Sequence, residues 1–121
     1  MKIIFILLIF IFSNVASAEN LNFKKLVDLS DPWGSTFVDE NNLLITEKGG
    51  AIKLINLKTK NINLIHHNLN FLEYGQGGLL DILFDKNFVY VSYSENRGNW
   101  KTSTSIAKAK FDKKNLIFKN I

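Results

Sequence analysis

The chain has 121 residues, 46% of them apolar and 21% charged, with a single proline and no cysteine. This is the composition of a globular protein, and it excludes both an extended disordered chain and a small disulfide-stapled module. The formal net charge of +4 is scattered along the sequence, with nowhere four basic residues in a row, which argues against a nucleic-acid partner.

At the N-terminus, Met1-Lys2 precedes an unbroken apolar run, residues 3–12, and Ala16-Ser17-Ala18 follows it. A run of about ten residues is too short to span a bilayer, whereas a positive start, a short apolar stretch and a small-x-small tripeptide together form a secretory signal. Residues 1–18 are therefore predicted to be a cleaved signal peptide. The chain is expected in the periplasm or outside the cell, with no stable membrane anchor once the signal is gone. Removing it takes away one lysine and no acid, so the surface stays weakly basic.

From residue 19 onward, short runs of Ile, Leu, Val, Phe and Tyr alternate with clusters of Asp, Asn, Gly and Lys. That rhythm predicts a β-meander. The segment containing Phe23, Leu26, Val27 and Leu29 is read as an entering strand. Strands are then predicted at 34–38, 43–47, 51–56 and 62–66, and a second set at 78–84, 88–94, 105–111 and 116–120. Turn-forming residues separate them, among them Asp39-Glu40-Asn41-Asn42, Lys48-Gly49-Gly50 and Asp85-Lys86-Asn87. The two sets superpose at an offset of about 46 residues, a period that suits the four-stranded blades of a propeller. Pattern alone leaves two architectures open: two blades cut from a larger ring, and a free-standing β-sandwich of eight strands. Two blades cannot close a ring, so the propeller reading expects residues 19–121 to be the N-terminal part of a longer, truncated domain.

Three stretches carry more than rhythm: Pro32-Trp33-Gly34; Asn42-Leu43-Leu44-Ile45-Thr46-Glu47-Lys48-Gly49-Gly50; and Gly75-Gln76-Gly77-Gly78-Leu79-Leu80-Asp81. In this order and spacing they resemble the glucose/sorbosone dehydrogenase family. Tyr90-Val91-Ser92-Tyr93-Ser94 and the stretch from Thr104 to Asp112 continue the likeness. The resemblance implies an all-β fold: two four-stranded antiparallel blades of a six-bladed β-propeller, following the signal peptide. It implies an oxidoreductase that moves a hydride from a sugar or polyol hydroxyl to pyrroloquinoline quinone, with calcium polarising the quinone and a soluble electron acceptor downstream. It also implies that most ligands of both cofactors, and the catalytic histidine, lie outside this chain, which alone would be inactive. The reading from another class is a non-catalytic secreted propeller or β-sandwich binding module, because fold does not fix function.

Among individual residues, Gln76 is the one candidate site residue. Glycines on both sides let the backbone turn sharply and aim an amide that both donates and accepts hydrogen bonds. The resemblance places it beside the quinone and a sugar hydroxyl, while the residues alone favour a turn cap bonded to local backbone. His66 and His67, the only histidines, are adjacent on a predicted strand and so point to opposite faces, which rules out joint chelation; they are read as solvated rather than as base or metal ligands. Asp81 is read as a structural acceptor at a blade junction, with a channel-facing position that influences a cation as the other reading; Trp33 is read as packing between blades, and Trp100 as freer to bind. No catalytic or metal residue is assigned.

Overall fold

The computed structural model describes residues 21–121; the predicted signal peptide, residues 1–18, lies outside them. Nine strands form: β1 (Pro32–Asp39), β2 (Asn42–Glu47), β3 (Ile52–Asn56), β4 (Ile62–His67), β5 (Leu79–Asp85), β6 (Phe88–Asn96), β7 (Thr102–Lys110), β8 (Asn115–Leu116) and β9 (Lys119–Asn120). The described residues contain no helix, and the strands assemble into two sheets ordered β1-β2-β3-β4-β8 and β5-β6-β7-β9. Except for the parallel β4/β8 pair, every pairing is antiparallel between neighbours, as expected of two propeller-like blades.

The core lies between the sheets. Leu44, Ile52, Leu54 and Ile65 of the first face Leu79, Ile82, Val89, Val91, Tyr93, Ala107 and Ala109 of the second, and Leu116 and Phe118 close it. Along most strands these residues alternate with ones on the opposite face, where Ile45 and Ile55 of the first sheet are also buried. Burial of a Leu or Ile here contributes roughly 1.5–3 kcal/mol.

The first strands of the two sheets meet along their length. A Cβ on Gly34 would stand 2.7 Å from the Asp81 Cα and 2.9 Å from the Ile82 nitrogen, so this position admits no side chain. Thr46, fully buried, accepts the Gly34 N–H at 3.0 Å and donates to the Leu80 carbonyl, stitching β2 to both inner strands. Phe84 N–H donates to Thr36 Oγ1 at 3.2 Å farther along. The neighbouring Glu47 is also buried; its carboxylate accepts Ser30 N–H and Lys53 Nζ, each at 2.7 Å. The Thr-Glu pair of the second motif thus fastens β1, β5 and the entering chain to one strand.

Two predicted strands differ. The segment around Phe23 to Leu29 forms no strand and joins neither sheet; its apolar residues lie beside the apolar outer face at Leu43, Ile45 and Ile55. The predicted strand 116–120 is split. Asn115–Leu116 pairs in parallel with His66 and His67, whereas Lys119–Asn120 pairs with β7. Between them Asn68 takes both main-chain groups of Phe118, so no strand neighbour serves that residue.

Candidate substrate-binding rim

Antiparallel order puts the chain reversals of both sheets at two ends. One end carries Asp39–Asn42, Asn56–Asn61, Asp85–Asn87 and Asp112–Asn115, polar turns of which the first, second and fourth are closed by their own side chains. Asn42 Nδ2 donates to both carboxylate oxygens of Asp39, and backbone N–H groups of Asn115 and Lys114 donate to Asp112. These bonds hold both carboxyls below the usual carboxylate range. The opposite end gathers Lys48-Gly49-Gly50, the long β4–β5 connection and the β6–β7 hairpin, and all the family-like glycine turns lie there.

On that rim, Gly77 N–H donates to the Tyr74 carbonyl at 2.8 Å, closing a tight turn with Gln76 in its interior and Gly75 at φ +56°. The turn is held down by its exit: Leu79 N–H donates to the Lys48 carbonyl, and Gly78 O accepts from Ser94 N–H at 2.8 Å. Gly78 has φ +147°, and a Cβ there would fall 2.2 Å from the Lys48 carbonyl oxygen, so only glycine lets the turn sit this close to the first sheet. Gln76 is exposed, and no hydrogen bond joins its amide to a described residue.

The rest of the β4–β5 connection is tied to both sheets. Leu72 N–H donates to Ser94 O at 2.9 Å and Asn96 N–H to Asn70 O at 3.0 Å, around a bridge between Phe71 and Glu95. His67 anchors its start. Nδ1 accepts Leu69 N–H at 3.2 Å, which leaves Nε2 as the protonated nitrogen donating to the Gly50 carbonyl at 2.7 Å. The expected solvated histidine pair holds for His66, which is exposed, and fails for His67, whose two nitrogens bridge two rim loops. The expected opposite orientation accounts for the split.

Asp81 is exposed, and its Oδ1 accepts Ile82 N–H at 2.8 Å within an irregular stretch of β5, in line with a structural acceptor. Trp33, expected between blades, is half exposed. Sequence reasoning missed a cluster at the β6–β7 end. Glu95 accepts Ser105 Oγ at 2.6 Å and Asn120 Nδ2 at 3.1 Å and pairs with Arg97 at 2.8 Å, while Asn120 accepts the Tyr93 hydroxyl at 2.8 Å. The Ser105 bond, with the Arg97 charge, holds the Glu95 carboxyl below its usual range; burial and the Glu95 charge push the Tyr93 hydroxyl up. Arg97 stands two positions from Glu95, but the other partners lie 10 to 27 positions apart, too far for any local motif to signal them. Among the described residues no three His, Asp, Glu or Cys side chains converge on a point that could hold a metal.

A family model for glucose/sorbosone dehydrogenase matches residues 29–121, the whole of both sheets. The chain belongs to that family. Solved structures of similar fold include a glucose dehydrogenase, 30% identical with a TM-score of 0.74 over 80% of this chain. The soluble aldose sugar dehydrogenase of Escherichia coli in its apo form is 24% identical with a TM-score of 0.69 over 77%. The pyrroloquinoline-quinone-bound aldose sugar dehydrogenase of Streptomyces coelicolor is 20% identical with a TM-score of 0.66 over 78%. The last two show likeness of fold alone. The chain spans 31%, 29% and 30% of these three proteins respectively. No curated protein matches it significantly. Within the glucose/sorbosone dehydrogenase family, the two sheets correspond to propeller-like blades, and the motifs quoted from the sequence coincide with the contacts that join them: Gly34 and Thr46 at the inner strands, Gly78 at the rim.

Proposed function

We propose that this chain is the first part of an exported quinone-dependent sugar dehydrogenase, in which residues 19–121 supply two blades and one wall of the substrate site. The observation that carries the reading is the free amide of Gln76, displayed on a rim turn that only glycine can build, in a chain of this family. A sugar hydroxyl can receive a hydrogen bond from that amide's NH2 and give one to its carbonyl, which fixes the ring's orientation. Pyrroloquinoline quinone, when bound, supplies the acceptor for the hydride leaving the hydroxyl-bearing carbon. The hydroxyl proton goes to a base on other polypeptide: His67 spends both nitrogens on the loops, and His66 lies on the outer strand of the first sheet. Calcium enters through the family alone. The described residues do not fit a metal site, and no step here passes through one. The substrate class is a small sugar or polyol, with a soluble electron acceptor and no membrane anchor after removal of residues 1–18.

The test is made on the intact protein, loaded with pyrroloquinoline quinone and assayed for aldose-dependent bleaching of an artificial electron-acceptor dye. Expected are turnover with an aldose, an exported form that begins at Glu19, and a Gln76→Ala variant with kcat/KM lower by about tenfold, the worth of one hydrogen bond to a neutral partner. Loaded protein that bleaches no dye with any aldose or polyol overturns the reading and leaves a non-catalytic propeller.

A further inference from the structure

The β6–β7 hairpin closes through Gly98-Asn99-Trp100-Lys101, with Lys101 N–H donating to the Gly98 carbonyl at 2.9 Å. Asn99 and Trp100 both adopt left-handed backbone, φ 49° and 61°, the conformation of a type I′ turn. Asn is a usual residue at the first central position; glycine is the usual one at the second. Trp100 therefore stands where a bulky side chain is strained, and its ring gains little from burial, being 79% exposed. It stands edge-on to Tyr74, itself 72% exposed, at 6.4 Å between ring centroids and 62° between planes. Tyr74 opens the turn that displays Gln76.

Strain kept at an exposed aromatic, a second exposed ring set at an angle to it, and a free amide in the same turn share one chemistry. Aromatic faces receive the C–H-rich faces of a pyranose, and an amide receives its hydroxyls. We propose that Tyr74 and Trp100 form an aromatic platform that takes the second sugar ring of a neutral oligosaccharide whose first ring lies at Gln76. The proposal rests on the sugar-oxidation reading for the identity of that first ring, and it makes oligosaccharides rather than free monosaccharides the better substrates. The two rings act as specificity-determining groups and leave the reacting carbon untouched.

The test uses the intact protein and a Trp100→Gly variant, which removes the ring while giving the turn its preferred residue, so a folding defect does not confuse the result. Expected is a midpoint of thermal unfolding no lower than wild type, unchanged kcat/KM for glucose, and kcat/KM for maltotriose or cellotriose lower by about tenfold. A second readout needs no turnover. Trp33 is the only other tryptophan, so in a Trp33→Phe background either trisaccharide shifts the emission of Trp100 and glucose does not. An unmoved emission, or an unaltered ratio of trisaccharide to glucose turnover in Trp100→Gly, overturns the platform even where glucose is oxidised. A shifted emission in protein that oxidises no sugar keeps the platform and removes the oxidation reading.

Discussion

The side chain of Asn68 holds Phe118 by both main-chain groups, accepting its N–H at 2.7 Å and donating to its carbonyl at 3.1 Å, 50 residues away in sequence. An amide here does the work of a strand neighbour: it satisfies the one residue between β8 and β9 that faces the core and pairs with neither sheet.

Asn68→Ala leaves a part-buried N–H and C=O without partners, and the expected cost is about 2–4 kcal/mol. Asn68→Asp keeps the acceptor and loses the donor, so it falls between Ala and wild type. Asn70→Ala, in the same connection but with a single side-chain bond stretched to 3.5 Å, serves as control. Chemical denaturation of the four proteins checks the order; an Asn68→Ala midpoint equal to that of Asn70→Ala would refute it.

Gly34→Ala brings a methyl against the Asp81 backbone, which no rotamer change relieves. The inner strands must part, at an expected cost of about 1–3 kcal/mol. Thr46→Val, which keeps the shape and strips two inner-strand groups of their partner, costs about 1–3 kcal/mol. Because both changes act on one junction, their effects in the double variant fall short of additivity. Simple addition of the two losses would show that the junction is not a unit.

Glu95, Asp39 and Asp112 all hold protons less readily when folded than when unfolded, since hydrogen bonds and, for Glu95, the Arg97 charge favour the carboxylate. The unfolded chain therefore takes up protons first as pH falls. The stability these groups lend is complete above the usual carboxylate range and drains away as pH drops through their lowered folded values. Glu95→Gln removes one such group, so its stability profile is flatter on the acid side than that of wild type. Thermal unfolding across acid to neutral pH reads this directly; parallel profiles for the two proteins would exclude Glu95 as a contributor.

The meander and the blade repeat were legible in the sequence because alternation of apolar residues and turn clusters are local signals; β1 to β7 fall within a few residues of their expected bounds. The failures are non-local. Residues 23–29 are apolar enough for a strand, yet they lie beside the face of the first sheet and not along an edge. Residues 116–120 do bury Leu116 and Phe118, while Asn68 intercepts the ladder between them. At the rim, the glycines announced Gln76. Nothing local announced that His67 would bridge Gly50 to Leu69, or that Tyr74 and Trp100 would meet across two loops.

The parallel pairing of Asn115–Leu116 with His66–His67 bears on how the chain acquires its structure during synthesis. A ribosome that has released β1 to β4 has released a sheet whose outer edge is still open, and the residues that cover it emerge only after the whole of β7. The first blade therefore gains its fifth strand only after most of the second has been made. Until residue 116 arrives, its outer strand is a bare template for foreign strands, the period in which a chaperone has most to protect.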